Sequence, residues 1–487
     1  MTTVLRATTA TATAIMVLAS TTAAQAAGRL DGTWPAHRLA ATTTGDDAMR
    51  HLRAYDRIAR RNGGVRATGT PGFAASDAYT ARVLERAGYR VYRQEVPYED
   101  YRIDAERADV LTPANRPVRV LMMRFSPVTP PEGLTAPLVV APVTESGGCT
   151  ASDYDGLPVR GSIVLVRRGS CGYTAQQRVA ATLGAKAMLV YMATPSPGNI
   201  WRLHAFDRSA VTIPVASVSQ EQGERLAADA ARGTVSLRLR LRGHSVTGTT
   251  SNLFAETRGG DPACVVMAGA HLDSVTESPG INDNAAAVAA LLATAQRLAP
   301  YQRRVRNKVR FAFWGAEELP VVGSTHYVRT LSPEQRADIA LYLNFELLAA
   351  PNHVRFLMDG DAGDQPPGTT PGPPGSGAIE DVFRAYLRPR GLPFKPQNMR
   401  AVGSDHEPFA QAGIPVGGIN GGAFAVKTEE EAKVFGGQAG RLYDWCYHQA
   451  CDTIDNIDRR ALDENVPAIA YAVGRFAADV SQVEGAR

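Results

Sequence analysis

Ala263-Cys264-Val265-Val266-Met267-Ala268-Gly269-Ala270 is an apolar run that ends directly on His271. A strand with one wet face alternates apolar and polar residues, whereas a run without alternation predicts a strand covered on both faces, as in a parallel sheet between layers of helices. The sequence beyond it repeats the pattern. Residues 285–298 place Val288, Leu291, Leu292 and Ala295 on one helical face, and residues 309–314 and 339–345 read as two more buried strands. The last helix carries Leu462, Val466, Ile469, Val473, Phe476 and Val480 at spacings of three and four, and it is expected to pack back on the sheet. Strand and helix in alternation predict an α/β fold with a mixed, mainly parallel sheet flanked by helices.

Upstream of Ser251 the texture changes. Short runs such as Ile163-Val164-Leu165-Val166, and the alternating stretch from Val235 to Leu241, are broken by Gly and Pro and predict a small β-rich insertion. Before it come a helix over 46–60 with Met49, Leu52, Tyr55 and Ile58 on one face, a helix over 74–87 stopped by Gly88, and a strand over 89–96. Residues 359–377, dense in Gly, Pro and Asp, predict a loop. A chain of 487 residues exceeds one hydrophobic core. The expected division is a signal peptide over 1–26, an N-terminal part of the α/β domain over 27–116, the insertion over 117–244 and the remainder over 245–487.

The signal reading rests on Arg6, the apolar stretch from Ala14 to Ala19, and the small-residue end Ala24-Gln25-Ala26, with cleavage after Ala26 or Ala27. That stretch is too short to span a bilayer and no later run is long enough, so a secreted, extracellular protein without a membrane partner is expected. The net charge of +4 comes from arginines scattered among acids, with lysine only at 186, 308, 395, 427 and 433, which argues against a nucleic-acid partner. Five cysteines in an exported chain invite disulfides. Cys149 with Cys171 and Cys446 with Cys451 are the sensible pairs, leaving Cys264 as a buried packing thiol with no neighbour to activate it.

Ligands of open α/β sheets bind beyond the carboxyl ends of the strands. His271 follows the first buried strand, Glu317 and Glu318 follow the second, and Glu346 closes the third. Asp283 lies in Gly280-Ile281-Asn282-Asp283-Asn284 just before a helix, and His448 lies between Cys446 and Cys451. Singly, such residues read as a solvated face or a structural histidine. Jointly, carboxylates gathered at strand ends are costly unless cations neutralise them, and imidazole with carboxylate is a zinc ligand set.

At these residues the sequence resembles the M28 metallopeptidases, particularly secreted actinobacterial aminopeptidases. The matching stretches are Gly269-Ala270-His271-Leu272-Asp273-Ser274, Gly280 to Asn284, Phe313-Trp314-Gly315-Ala316-Glu317-Glu318, Leu343-Asn344-Phe345, Ser404-Asp405-His406 and Tyr447 to Thr453. The resemblance implies the zinc-exopeptidase fold and two zinc ions per chain, bridged by Asp283. One would be completed by His271 and Glu346, the other by Glu318 and His448. It further implies Glu317 as general base towards a metal-bound hydroxide and Tyr447 as stabiliser of the oxyanion. Asp273 and Asp452 carry two readings each: Asp273 as fixing the tautomer of His271 and Asp452 as doing the same near His448, or both as surface or turn aspartates. His406 looks like a ligand but matches a position that is not one, so Asp405 and His406 are read as rim or supporting residues. Glu346 departs from the family, whose motif ordinarily ends in Asp at this position. The longer arm leads us to expect a weaker metal on the His271 side. Ile213-Pro214-Val215-Ala216 and the stretch from Gly161 to Cys171 make the insertion resemble a protease-associated (PA) domain.

The activity expected is therefore that of an aminopeptidase acting on peptides with a free N-terminus. A single-zinc glutaminyl-cyclase-like transferase is weakened by the presence of His271, and a non-catalytic binding protein on the same fold by Glu317 and His448. Carboxypeptidase and dipeptidase activities fall within the same resemblance, and no oligomeric state is specified.

Overall fold

The computed structural model describes residues 34–486 apart from 194, 195 and 197, so the expected leader lies outside the described residues. Helix Gly45–Arg61 begins where Thr44 and Asp47 form a reciprocal capping box, which satisfies two of the amides that a helix start leaves bare. Its apolar face meets helices Ala286–Leu298 and Arg459–Ala478, and the three cover one side of the sheet.

Across that sheet the strands run Lys395–Asn398, Phe356–Asp359, Val416–Asn420, Ile339–Glu346, Asp261–His271, Asn307–Trp314, Ser236–Glu256 and Arg90–Thr112. The four strands from Val416–Asn420 to Asn307–Trp314 are parallel, with Asn344 opposite Gly269 and Trp314 opposite His271. Antiparallel neighbours join on both sides. Every residue of Ile339–Glu346 is buried, as a strand between two helical layers requires. Phe311, Phe313, Leu341, Leu343, Val473 and Phe476 meet in one core. Truncating such a phenylalanine to alanine costs about 3–5 kcal/mol. On the other face Trp314, Tyr327, Tyr342 and Phe409 pack together, with Tyr342 and Phe409 stacked at 4.1 Å.

Several sequence expectations need correction. The strand ending at His271 starts at Asp261, so Cys264 lies near its outer end, where cover is incomplete. The thiol is only half-buried, 3.8 Å from Glu484 Oε1, and burial followed by the Glu484 and Asp261 charges pushes it up to about 11. The strand expected over 89–96 extends to Thr112, because cross-strand pairing sustains a stretch too polar to announce itself. It pairs antiparallel with Ser236–Glu256 from Arg90↔Glu256 to Thr112↔Ser236, with a register shift between Ile103 and Ala105. One end of this ribbon borders Asn307–Trp314 and the other borders Leu134–Val140 of the insertion.

The insertion is not purely β. Strands Leu134–Val140, Ile163–Arg167, Ala187–Tyr191 and Val215–Val218 are parallel in succession, and helices Gly172–Thr182 and Gln220–Arg232 accompany them. The first helix fully buries only Gln176, Gln177 and Ala180, so its sequence lacks the apolar stripe that betrays a helix. Both expected disulfides are present, with Cα–Cα distances of 6.0 Å for Cys149–Cys171 and 5.3 Å for Cys446–Cys451.

Candidate metal centre

Parallel strands in register deliver their last residues to one edge, and here that edge carries His271, Glu317, Glu318 and Glu346. The backbone turns sharply as it leaves the strands at Ala316 (φ 57°) and Leu347 (φ 53°), and again at His448 (φ 57°) in the turn between Cys446 and Cys451; all three occupy the left-handed region. Such conformations cost a non-glycine residue about 1–3 kcal/mol and persist only where surrounding structure enforces them.

Asp283 is held from three sides. Asp452, fully buried, accepts the Asn282 amide at 2.8 Å and the Asp283 amide at 3.1 Å. Asp444 accepts Asn282 Nδ2 at 2.7 Å, and Asn284 Nδ2 donates to Phe345 O at 2.9 Å. From below, the buried Arg66 donates to the carbonyls of Pro279, Leu272 and Gly280. Gly280 (φ 67°) has no substitute, because a Cβ there would lie 2.4 Å from Asp283 O and 2.9 Å from Arg66 Nη2.

The result is a carboxylate with two faces. Asp283 Oδ1 lies 3.2 Å from His271 Nε2, while Oδ2 lies 3.1 Å from His448 Nε2, which is 3.3 Å from Glu318 Oε2. On the His271 side Glu346 Oε1 and Glu317 Oε2 stand 3.7 Å and 3.9 Å from Nε2. Asp283 Oδ2, Glu318 Oε1 and His448 Nε2 are buried yet make no hydrogen bond, so the atoms aim past one another towards a common point. Ligand atoms about 2.0–2.1 Å from a tetrahedral zinc stand about 3.3 Å apart, which matches the separations around His448 and the shorter one at His271. The donor set fits zinc on both sides of Asp283.

The charges lead to the same reading. Burial opposes protonation of His448, but Glu318 and Asp283 outweigh it and push the imidazole up to about 10. His271 is raised well above its ordinary value against burial, by Glu317, Asp273 and Asp283. Burial pushes Glu346 up to about 8 and Asp405 up to about 7, although His271 pulls both down. Buried carboxylates here outnumber cations, and positive charge added between them relieves the imbalance.

Every residue expected in the cluster is brought to it, but the supports differ from expectation. Asp273 faces His271 Nδ1 at 3.6 Å through Oδ1, while its backbone carbonyl lies at 3.2 Å. Its carboxylate accepts the amides of Glu317 and Glu318 at 3.2 Å and 3.3 Å, which orients that pair. Asp452 holds the amide of Asp283 and is not bonded to His448, because the turn after Cys451 aims it at the 280–284 loop. Of the two readings of Asp405 and His406, rim or supporting, burial excludes the rim: they are 0% and 2% exposed, because helix His406–Gln411 packs inward. Ser324 Oγ donates to Asp405 at 2.6 Å, and His406 Nε2 bonds Met399 O at 2.8 Å. Tyr447 stacks on His448 with ring centroids 3.9 Å apart.

Arg66 and Asp444 escaped the sequence reading, and Ser404, whose Oγ donates to Glu346 Oε1 at 2.5 Å, stood in a matching stretch but was given no role. Arg66 and Asp444 reach the centre from segments with no local pattern, whereas Ser404 adjoined the recognisable Asp405-His406. Above the centre opens a cleft of about 980 Å³, floored by Glu317, Glu318 and His448 and walled on one side by Tyr173, His204 and Phe206 of the insertion.

The peptidase family M28 model matches residues 252–473, and the PA domain model matches residues 134–226. The chain is 41% identical over 446 residues to LpqL of Mycobacterium tuberculosis, a probable lipoprotein aminopeptidase, covering 90% of this chain and 86% of that protein. The chain belongs to peptidase family M28. An aminopeptidase of Pseudomonas aeruginosa is 38% identical over 442 residues, 87% of this chain and 79% of that protein. BSAP, a zinc aminopeptidase from Bacillus subtilis, shares the fold with a TM-score of 0.68 at 23% identity, covering 88% of this M28 chain and 94% of that one.

Proposed function

We propose that this M28 chain is an exported aminopeptidase that binds two zinc ions and releases N-terminal residues from peptides. The observation that carries the reading is the two-faced Asp283, with one oxygen turned to His271 and the other to His448 and Glu318. His271 and Glu346 would hold one zinc, and Glu318 and His448 the other. When bound, zinc acidifies water and polarises a carbonyl. Glu317, next to Glu318 in sequence and 3.9 Å from His271 Nε2, takes the proton of the attacking water and returns it to the departing amine. Asp273 fixes Glu317 for this through its amide. The Tyr447 hydroxyl donates to the substrate carbonyl oxygen as charge develops on it. The carboxylates around Glu346 hold the substrate's ammonium group.

Two disulfides support export, as does kinship with a lipoprotein; among the described residues no helix is long and apolar enough to cross a membrane. The deciding experiment assays aminoacyl, N-blocked and N-terminal Gln peptides side by side while bound zinc is counted. Hydrolysis confined to free N-termini with two zinc ions per chain is expected. Cleavage of N-blocked peptides, or cyclisation of N-terminal Gln, would replace the reading.

A further inference from the structure

Phe206 is 72% exposed, more than any other large apolar side chain among the described residues, and it stands on the wall of the cleft that the insertion supplies. Apolar surface left in water inside a cleft marks a place where something binds. The ring is also held firmly. Phe125, His204 and Phe206 form a row with 5.2 Å between successive ring centroids. Before Phe206, the Arg124 amide donates to Leu203 O at 2.9 Å, the Ala205 amide donates to Arg124 O at 3.1 Å, and the Tyr173 hydroxyl donates to His204 O at 3.1 Å. After it, Asp207 accepts the amides of Ser209 and Ala210, and the Arg208 guanidinium lies 3.5 Å over the Phe125 ring. An aromatic platform fixed in advance loses little freedom when a ligand covers it.

The exposure of the centre sets the direction of the substrate chain. His271 and Glu346 are 1% and 7% exposed, whereas Glu317, Glu318 and His448 line the cleft. An ammonium group held by the carboxylates around Glu346 therefore sits at the closed end, and the chain beyond the scissile bond runs out past Glu317. The residues that follow Glu318 supply an apolar wall there: Pro320, Val321 and Val322 line the cleft. The Val321 amide donates to Glu317 O at 2.7 Å and the Val322 amide to Ala316 O at 2.9 Å, with Val321 at φ 57°, an outlier for a β-branched residue. Arg124 and Arg202, on the insertion's side of the cleft, already have partners, Arg124 in Asp100 at 3.2 Å and Arg202 in Glu106 and Glu277 at 2.9 Å and 2.5 Å. Burial, followed by the Arg124 and Arg208 charges, pushes His204 down to about 4, so its ring is neutral.

We propose that His204 and Phe206 of the insertion, with Val321 and Val322 of the peptidase domain, form a subsite for an aromatic or large aliphatic side chain on the leaving part of the substrate. The subsite rests on the aminopeptidase function and adds a substrate class to it: peptides of three or more residues whose second or third residue is apolar. A cleft of about 980 Å³ is at the upper end of the volumes that enclose a drug-sized ligand, so it holds more than the first residue of a peptide. Contacts made there are remote from the scissile bond, and their binding energy can serve to seat the reacting carbonyl at the centre. An aminoacyl amide, whose leaving group is ammonia, reaches none of this wall.

The test is kcat/KM for three tripeptides that share the first residue turned over fastest among aminoacyl substrates and end in Phe-Gly, Gly-Phe or Gly-Gly, measured on the zinc-loaded full chain and on Phe206→Ala. In the wild type the better phenylalanine peptide should exceed the Gly-Gly peptide by about 10- to 100-fold, the factor that burial of an aromatic side chain supplies. Phe206→Ala should cut that ratio by about fivefold or more. The exposed position makes the substitution a mild one for the fold. A wild-type ratio near one overturns the subsite, as does a ratio that Phe206→Ala leaves intact; in both cases the Gly-Gly peptide still loses its first residue and the aminopeptidase function stands. If no peptide is shortened from its N-terminus, that function falls and the subsite falls with it.

Discussion

Asp452→Asn tests whether the centre is built around Asp283 or around His448. The carboxylate accepts two buried amides, one per oxygen, at 2.8 Å and 3.1 Å. An asparagine accepts only one of them and turns an NH2 towards the other. Losing a charge-assisted hydrogen bond while stranding a buried N–H costs about 2–3 kcal/mol, or roughly 30- to 150-fold in an equilibrium constant. The cost falls on the position of Asp283, whose two oxygens face the two halves of the centre. Both zinc affinities should therefore drop, each by about 10–100-fold, the range for loss of a group that orients a ligand. Zinc occupancy measured against graded concentrations of a chelator resolves the two sites, and the melting temperature of the metal-free variant reports any general loss of stability. Weakening of the Glu318 and His448 site alone would mean that Asp452 acts through His448. Unchanged occupancy at both sites would refute the reasoning altogether.

Glu317→Gln should keep both zinc ions and lose turnover by about 10² or more, measured as kcat on an aminoacyl substrate; near-normal kcat removes Glu317 as the base. Glu346 Oε1 lies 3.7 Å from His271 Nε2, farther than the 3.1–3.3 Å separations elsewhere in the centre, so the His271 zinc should be the weaker. Zinc titration of Glu346→Asp should then show that site tightened and the other nearly unchanged, and two equally tight sites in the wild type would contradict this. Because the Cys264 thiol is pushed up to about 11, only ~0.1% is thiolate at pH 8. Its alkylation rate, followed by mass spectrometry, should rise about tenfold per pH unit from 8 to 10, and a plateau by pH 9 would show an unshifted thiol.

The parallel sheet was readable because burial on both faces leaves little room for polar residues, and residues 265–270 and 339–343 carry that constraint in their composition. His271, Glu318 and Glu346 were readable for a related reason, since a strand's end is visible once the strand is. Asp283 and His448 sit in irregular segments, and only their likeness to known motifs marked them. Arg66 had no such mark: it is a surface residue by type, buried here because three backbone carbonyls over 200 residues away receive its guanidinium. Asp452 was noticed and given the wrong partner, because sequence proximity to His448 says nothing of which way a turn points. The ribbon was missed where it turns polar, since pairing between Arg90–Thr112 and Ser236–Glu256 is a property of two strands together.

That ribbon also bears on how the chain assembles. Bringing residues 90 and 256 together across an unstructured loop carries a closure entropy of about 4–5 kcal/mol, paid before any contact in the peptidase sheet repays it. If the insertion folds first, Thr112 and Ser236 are already side by side, and each later pair closes a loop hardly longer than the pair before it. The ribbon then zips towards Arg90 and Glu256, and hands the sheet its two outer strands in register. In that order of events the PA domain would be a folding template for the peptidase as well as a wall of its cleft.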